Sequence, residues 1–208
     1  MTSASGTSVF RPLFGRVLAG SIVGLCLFAL VVSLVHDGVS AVWTVGPWLA
    51  LVALAVWASY WQPQVAVDDA GVHVVNVLRT IDLPWPAIQR IDTKWALTLI
   101  TAYGKYTAWA APAPGGIATA RAVSRGSTKG LPESSYGPGG SIRPGDVPTS
   151  PSGAAAAAVR RRWEELRDAG HLDDPRLEFE RVPVRWHWPV IVAAPVLVLI
   201  GVLTAAMA

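Results

Sequence analysis

Long apolar runs alternate along this chain with a middle stretch in which apolar and polar positions change every few residues. The apolar runs cover residues 17–35, 43–60 and 188–207. Each is close to the length of about 20 residues that a helix needs to cross a hydrocarbon layer about 30 Å thick. The pattern predicts three transmembrane helices, the first two of which form a helical hairpin over residues 17–61.

A cleaved signal peptide is the alternative interpretation of the first run, because Val39, Ser40 and Ala41 form a weak cleavage site. The run is longer than a usual signal core, and a second apolar run follows almost at once. We therefore favour an uncleaved hairpin. Residues 1–16, which begin with small polar residues, are predicted to be a disordered cytoplasmic N-terminus.

The positive charges predict an orientation in the membrane. Two of the 17 Lys and Arg residues, Arg11 and Arg16, precede the first run, and all the others lie between the second and third runs. The connection between the first two runs has none. The positive-inside rule then predicts a multi-pass protein of the bacterial cytoplasmic (inner) membrane. The N-terminus and the main domain would be cytoplasmic, and the C-terminus would be outside.

Three features of the apolar runs concern how the helices sit in lipid. Aromatic residues at the run ends, such as Trp61 and Trp188, are typical of the headgroup level. Gly20 and Gly24 have the spacing of small residues that permits close helix approach. The single cysteine, Cys26, is interpreted as a small packing residue in lipid or at a helix contact.

The middle stretch predicts a β-rich domain over residues 62–111. Strands are expected at residues 64–67, 72–77, 79–83, 97–103 and 106–111, where β-branched and aromatic residues alternate with polar ones. Residues 87–94 fit a helical turn as well as a strand. Residues 112–153 hold most of the domain's Gly, Pro and Ser, so they are predicted to be a flexible loop.

A helix is predicted over residues 154–170, followed by a return segment over residues 171–187. Ser152 is its expected N-cap and Gly170 its expected C-terminal stop. Val159, Trp163 and Leu166 form one apolar stripe. In the return segment, apolar and acidic residues alternate near Leu177, which indicates a short strand or an extended link.

The sequence contains no constellation that predicts an enzyme. His73, His171 and His187 have no metal-ligand spacing, and the Asp pairs at 68–69 and 173–174 lie beside Gly or Pro, as in turns. No serine has the context of a nucleophile elbow, and no glycine-rich segment has that of a phosphate loop. We expect no catalytic residues, cofactor, metal, small-molecule substrate or nucleic-acid partner.

Two groups of residues are candidates for contact with lipid or a partner. Arg160, Arg161 and Arg162 follow one another on the predicted helix, and each basic residue near an anionic leaflet contributes about 1 kcal/mol to binding. The alternative, a solvated helix face, is favoured.

The second group is a predicted hairpin tip, formed by Val77, Leu78 and Arg79. It either dips into the bilayer or packs on the membrane spans. Lys105, in a predicted tight turn, is a further basic candidate for lipid contact.

Three motifs in residues 65–111 resemble a known family. They are Val67-Asp68-Asp69-Ala70-Gly71-Val72, Asn76-Val77-Leu78-Arg79-Thr80 and Leu83-Pro84-Trp85-Pro86-Ala87-Ile88. Together they resemble a bacterial PH-like domain of the type found in small membrane proteins and low-molecular-weight antigens. The resemblance implies two roughly orthogonal antiparallel sheets forming a barrel, closed by a C-terminal helix, here residues 154–170. The pattern supplies five or six strands where a PH barrel has seven.

The expected fold is therefore three transmembrane helices plus an α+β cytoplasmic domain, a PH-like antiparallel β-barrel or sandwich closed by a C-terminal helix. The resemblance and the topology imply a non-enzymatic membrane protein with a scaffolding or protein-binding role at the cell envelope. Its expected partners are the lipid bilayer and a protein of unknown identity. The alternatives are an anionic-lipid-sensing module and an accessory subunit of a transporter or membrane enzyme.

Overall fold

A computed structural model describes residues 7–115, 144–172, 177 and 180–207. They form two compact units. The first unit is made of the described residues within Met1–Pro12, Gln64–Asn76 and Thr80–Arg185. The second is made of those within Leu13–Pro63, Val77–Arg79 and Trp186–Ala208.

The strands belong to the first unit, apart from Arg79 and Trp186 at the ends of two of them. They are β1 Ser8–Phe10, β2 Gln64–Val67, β3 Gly71–Val75, β4 Arg79–Pro84, β5 Ile88–Asp92, β6 Ala96–Thr101, β7 Gly104–Pro112 and β8 Val184–Trp186. One sheet has the order β1-β2-β3-β4-β8 and the other β5-β6-β7. Consecutive pairs within each sheet, from β1 to β4 and from β5 to β7, are antiparallel. The predicted antiparallel sheets are therefore confirmed.

One local expectation is corrected within these sheets, and one open alternative is decided. Part of the N-terminal segment predicted to be disordered forms β1, because its backbone pairs with the open edge of β2 and Phe10 packs on the core; residues 1–6 lie outside the described residues. The ambiguous segment 87–94 is mainly strand β5. It follows a short 3₁₀ turn, Trp85–Ala87, that begins between two prolines.

The long helix of the first unit, α4, spans Pro151–Asp168 and starts earlier than predicted. The N-cap is Ser150, whose hydroxyl accepts a hydrogen bond from the Gly153 N–H at 3.0 Å, and Pro at the next position suits a helix start. Gly170 has φ +76°, and the His171 N–H donates to the Leu166 carbonyl at 3.0 Å. This hydrogen bond identifies a Schellman motif, in which a glycine ends the helix.

Residues 144–153, predicted as part of a flexible loop, are instead packed into the first unit. Asp146 is 2% exposed and Val147 is 1% exposed. A Cβ added to Gly145 would lie 1.8 Å from the Thr93 carbonyl oxygen, so the backbones of Gly145 and Thr93 are in direct contact. The rest of that predicted loop, 116–143, lies outside the described residues, as does most of the strand expected near Leu177.

The core of the first unit lies between the two sheets and α4, which contacts β1, β2, β6 and β7. Its buried members are mostly β-branched residues, leucines and alanines: Val65, Val67, Val72, Val74, Ile81, Leu83, Trp85, Ile88, Leu97, Leu99, Ala108, Ala110, Ala111, Ala155, Ala156, Val159 and Val182. Trp163 and Leu166 of the predicted stripe pack against it. In the described part of the chain the two sheets do not join into a closed barrel.

The second unit is helical. For the residues described, its elements are α1 Leu13–Asp37, α2 Ser40–Thr44, α3 Gly46–Val56, a π-helical turn Trp57–Trp61 that continues α3, and α5 Trp188–Met207. The α3 helix packs against both α1 and α5. Two helices, α1 and α5, are long and apolar enough to cross a membrane, whereas Gly46–Trp61 is shorter. The predicted span over residues 43–60 is not confirmed, because the helix is interrupted at Val45 and Pro47 has no N–H to donate to the preceding turn.

Small residues make the helix contacts of the second unit. Gly15, Ala19 and Cys26 are buried on α1, and a Cβ at Gly201 of α5 would lie 2.8 Å from the Trp48 ring. Gly20 and Gly24, predicted to permit close approach, have no neighbour within 4 Å of an added Cβ. The small residues that are buried on α1 therefore lie at Gly15 and Ala19, five positions before Gly20 and Gly24.

Candidate functional site

The predicted hairpin tip, Val77–Arg79, belongs to the helical unit. The His187 N–H, at the start of α5, donates a hydrogen bond to the Leu78 carbonyl at 2.9 Å. The Arg79 guanidinium carbon lies 5.8 Å from the centre of the Trp186 ring, within reach of a cation–π interaction. In the structure the tip contacts other residues of the helical unit, while Leu78 is 46% exposed, so entry of the tip into the bilayer stays a prediction.

A second cation–π pair in the helical unit joins the start of α1 to the end of the π-helical turn. The Arg16 guanidinium carbon of α1 is 4.4 Å from the centre of the Trp61 ring. The next residue, Gln62, places its side-chain amide nitrogen 2.5 Å from His187 Nδ1. These contacts bring the start of α1, the end of the π-helical turn and the start of α5 together with the hairpin tip.

We call this collection the interface belt. Its members are exposed or half-buried aromatic, apolar and basic residues: Arg16, Trp57, Tyr60, Trp61, Leu78, Arg79, Trp186 and Trp188. Amphipathic rings and long basic side chains are the residue types that concentrate where a membrane meets water. The belt therefore has the composition of a headgroup-level ring at one end of an apolar helix bundle.

The predicted basic run on α4 does not form one patch. Arg160, a predicted contact residue, is 3% exposed, and its Nη1 donates to Asp146 Oδ1 at 2.6 Å. This burial is a correction: a guanidinium enclosed with its carboxylate partner cannot reach a lipid headgroup. The prediction failed because Asp146 lies in a segment that the sequence assigned to a loop.

The other two arginines of the run line a mixed-charge pocket of about 180 Å³, together with Asp68, Asp69 and Glu165 among others. Arg162 donates to Asp69 at 2.7 Å and to Glu165 at 3.1 Å, while Arg161 is exposed. Acidic side chains therefore offset the positive charge here. Sequence analysis alone could not anticipate this pairing, because Asp69 and Arg162 are distant along the chain.

Lys105, the remaining basic candidate, is exposed at the start of β7, beside Gly104 with φ +130° in the turn from β6. It does not line the pocket that contains Arg161 and Arg162. The structure therefore does not assemble Lys105 and the α4 arginines into one basic site.

A polar cluster on the five-stranded sheet was missed from the sequence. His73 Nδ1 lies 2.6 Å from Asp82 Oδ1, and His73 Nε2 lies 3.0 Å from Asp68 Oδ2. Arg185 adds an ion pair to Asp82 at 3.3 Å. The signal that would have found it is register, because β3 and β4 place His73 opposite Asp82. Within the described residues, no group of His, Cys, Asp and Glu is arranged to hold a metal ion.

Comparison with known proteins identifies the β-rich region. Residues 62–134 match the bacterial PH domain family, and within them residues 62–115 are described by the structure. The chain therefore carries a bacterial PH-like domain, as its motifs predicted. The more specific resemblance to low-molecular-weight antigens stays a prediction. No curated protein and no solved structure shows significant similarity to the chain.

Proposed function

We propose that the protein is a non-enzymatic, multi-pass protein of the bacterial cytoplasmic membrane whose PH-like domain serves as a protein-binding module on the cytoplasmic side. PH-like domains suggest interaction with proteins or lipids. The apolar helices would hold that module at the membrane, and the interface belt would set the depth of the helices in the bilayer.

The observation that carries the proposal is the exposure of α1 and α5. Only 6% of the most apolar window of each helix is buried within the protein. Large side chains such as Leu25 and Phe28 are each 65% exposed. Apolar surfaces of this extent need a cover other than water, and lipid provides one. Because α5 follows the PH-like domain, a signal peptide does not account for it.

The charge distribution supports the orientation. Between Arg16 and Trp61 there is no Lys or Arg, so the connection from α1 to α2 is free of positive charge. The remaining basic residues follow Trp61 and precede α5. Positive charge near the ends of membrane helices favours the cytoplasmic side, which places the PH-like domain inside the cell in this proposal.

Membrane insertion and orientation are tested together by cysteine labelling in cells. In a Cys26→Ala background, Val39→Cys, beside the α1–α2 connection, should react with a membrane-impermeant maleimide in intact spheroplasts. Lys105→Cys should react only after permeabilisation. The protein should also stay in the membrane pellet after alkaline carbonate extraction. Extraction into the supernatant, or labelling of position 105 from outside, would contradict the proposal.

Recognition of anionic lipid is the second candidate, favoured by the exposed Leu78 and Arg79 at the hairpin tip. Pairing of Arg162 with Asp69 and burial of Arg160 leave α4 with less free positive charge than this function would use. The test compares unfolding of the full chain in nanodiscs with and without phosphatidylglycerol. Stabilisation by the anionic lipid that Arg79→Ala removes would favour lipid recognition, and indifference to headgroup charge would favour a protein partner.

A further inference from the structure

The first unit contains most of the described residues that match the bacterial PH domain family, and we call it the PH-like unit. A groove of about 290 Å³ lies between its edge strand β5 and its helix α4. It is lined by Gln89, Arg90, Ile91, Arg160, Trp163 and Arg167. A larger cavity of about 480 Å³ shares Gln89, Trp163 and Arg167 with it and adds apolar residues such as Ile88 and Leu172. The two spaces therefore adjoin each other at Gln89, Trp163 and Arg167.

The helix wall of the groove is held in place. Residues 160, 163 and 167 have the spacing of one helix face. Arg160 is fixed by the buried Asp146, and the Trp163 indole N–H donates to the Ile88 carbonyl at 3.1 Å. The Arg167 guanidinium carbon lies 5.3 Å from the centre of the Trp163 ring. This wall presents an aromatic face flanked by a guanidinium.

The strand wall offers backbone groups. Within the residues that the structure describes, β5 pairs with β6 and has no strand on its other side. The side chains of Gln89 and Arg90 are exposed. An unpaired strand edge is a template on which an extended segment can add main-chain hydrogen bonds.

The lining carries an excess of positive charge. Among the described residues, the lining contains three arginines and no carboxylate. Asp146 compensates Arg160, whereas Arg90 makes no ion pair to another described residue. The carboxylate bonded to Arg167 is that of the adjacent Asp168, whose side chain is 70% exposed, so this pair is weak. Arg90 and Arg167 therefore remain available to an acidic ligand.

We propose that this groove binds an extended acidic segment of a partner protein, which adds to β5 as a strand. Carboxylates of that segment would pair with Arg90 and Arg167, and an apolar side chain would lie against Trp163. The inference rests on the proposed function as a protein-binding module and names the chemistry of its partner. A groove beside a strand edge that no described strand pairs with suits an extended peptide backbone better than a compact phosphate group.

The test uses the full chain in phosphatidylcholine nanodiscs and a fluorescent peptide of about ten residues in which Glu alternates with Val, so that the carboxylates share one face. Fluorescence anisotropy measures its dissociation constant. Arg90→Glu and Arg167→Glu should each weaken binding by at least about tenfold, because they replace an attractive pair by a repulsive one. Arg161→Glu makes the same charge change on the opposite side of α4 and should leave the dissociation constant unchanged. A mock buffer exchange of the unsubstituted protein should leave it unchanged as well.

A second arm tests strand addition without altering the protein. Methylation of alternate backbone nitrogens of the peptide should abolish binding, while the Lys-for-Glu peptide should not bind at all. Unchanged binding of the methylated peptide would overturn the proposal, as would equal losses in Arg161→Glu or displacement of the peptide by millimolar inorganic phosphate. Such a failure would leave membrane insertion intact, because carbonate extraction and cysteine labelling measure that separately.

Discussion

The two units bury opposite kinds of residue. In the PH-like unit, the fully buried side chains include Ile81, Leu83, Leu97 and Leu99, and Asp146 and Arg160 are the buried charged residues among those described. In the helical unit the buried positions are small residues such as Gly15 and Ala19, while Leu25, Phe28 and Leu199 face outward. The first unit has the residue distribution of a domain in water, and the second has the distribution expected under the proposed membrane placement.

The difference teaches which force holds each unit together. In water, burial of apolar area stabilises a fold by about 25 cal/mol per Å². In lipid that gain between helices disappears, and close packing of small residues takes its place. Under the proposed membrane placement, the close approach of Gly201 to the Trp48 ring is a contact of this second kind. Each prediction below therefore changes one unit and uses the other as its reference.

The largest effect is expected from the buried ion pair of the PH-like unit. Asp146→Ala leaves the guanidinium of Arg160 buried without its carboxylate, which should lower the free energy of unfolding by about 3–5 kcal/mol. Urea unfolding of the full chain in nanodiscs measures this. The double variant Asp146→Leu/Arg160→Met should recover most of the loss, and a double variant as unstable as the single one would contradict this interpretation.

Two leucines, one in each unit, allow the stability cost of the same truncation to be compared. Leu99 is 0% exposed in the PH-like unit, so Leu99→Ala should cost about 2–5 kcal/mol of stability. Leu199→Ala removes the same atoms from a side chain that is 58% exposed on α5, and it should cost less than about 1 kcal/mol. Equal costs at the two positions in nanodisc unfolding would mean that both units follow one packing rule.

An arginine introduced on α5 and one introduced in the PH-like unit compare how each unit tolerates an exposed charge. Leu199→Arg should disfavour membrane insertion of this helix by about 2.5–3.5 kcal/mol, because it moves a guanidinium into hydrocarbon. Trp95→Arg, at an 80% exposed position of the PH-like unit, also removes a cation–π contact with Lys94 and should change stability by no more than about 1 kcal/mol. A glycosylation-based insertion assay and nanodisc unfolding provide the two measurements. Full insertion of the Leu199→Arg helix would argue against lipid around α5.

The smallest effect concerns the interface belt. Arg79→Ala removes the cation–π contact with Trp186 and should cost about 0.5–1 kcal/mol in a detergent unfolding titration. A double-mutant cycle with Trp186→Leu measures the coupling free energy of the pair. The loss in the double variant should be smaller than the sum of the two single losses, because the contact is removed only once. Additive losses in the cycle would show that the two side chains do not interact.

Patterns confined to neighbouring residues were predicted well. The strand at Gln64–Val67 and the helix at Trp188–Met207 have the bounds that alternation and apolar length indicated. The second predicted span differs because the helix is interrupted at Val45, shortly before Pro47, whose missing N–H removes one hydrogen bond of the helix. The antiparallel sheets and the PH-like domain followed from motifs of a few residues each.

Features that depend on distant residues were not predictable. The burial of Arg160 requires Asp146, and the hydroxyl of Thr93 also donates to that carboxylate at 2.6 Å from 53 positions away. The His73 cluster needs the strand register, and the groove needs α4 beside β5. The hairpin tip Val77–Arg79 was predicted because a turn has a local sequence signal. The hydrogen bond from His187 to the tip joins distant residues and was therefore not predicted.

The solvent around α1 and α5 is the central claim, and site-directed spin labelling tests it most directly. In a Cys26→Ala background, labels at Val31→Cys and Leu199→Cys should collide with molecular oxygen and be protected from a water-soluble nickel chelate in liposomes. A label at Trp95→Cys, in the PH-like unit, should show the reverse. Free access of the nickel chelate to positions 31 and 199 would contradict the account, because water and not lipid would then surround these helices.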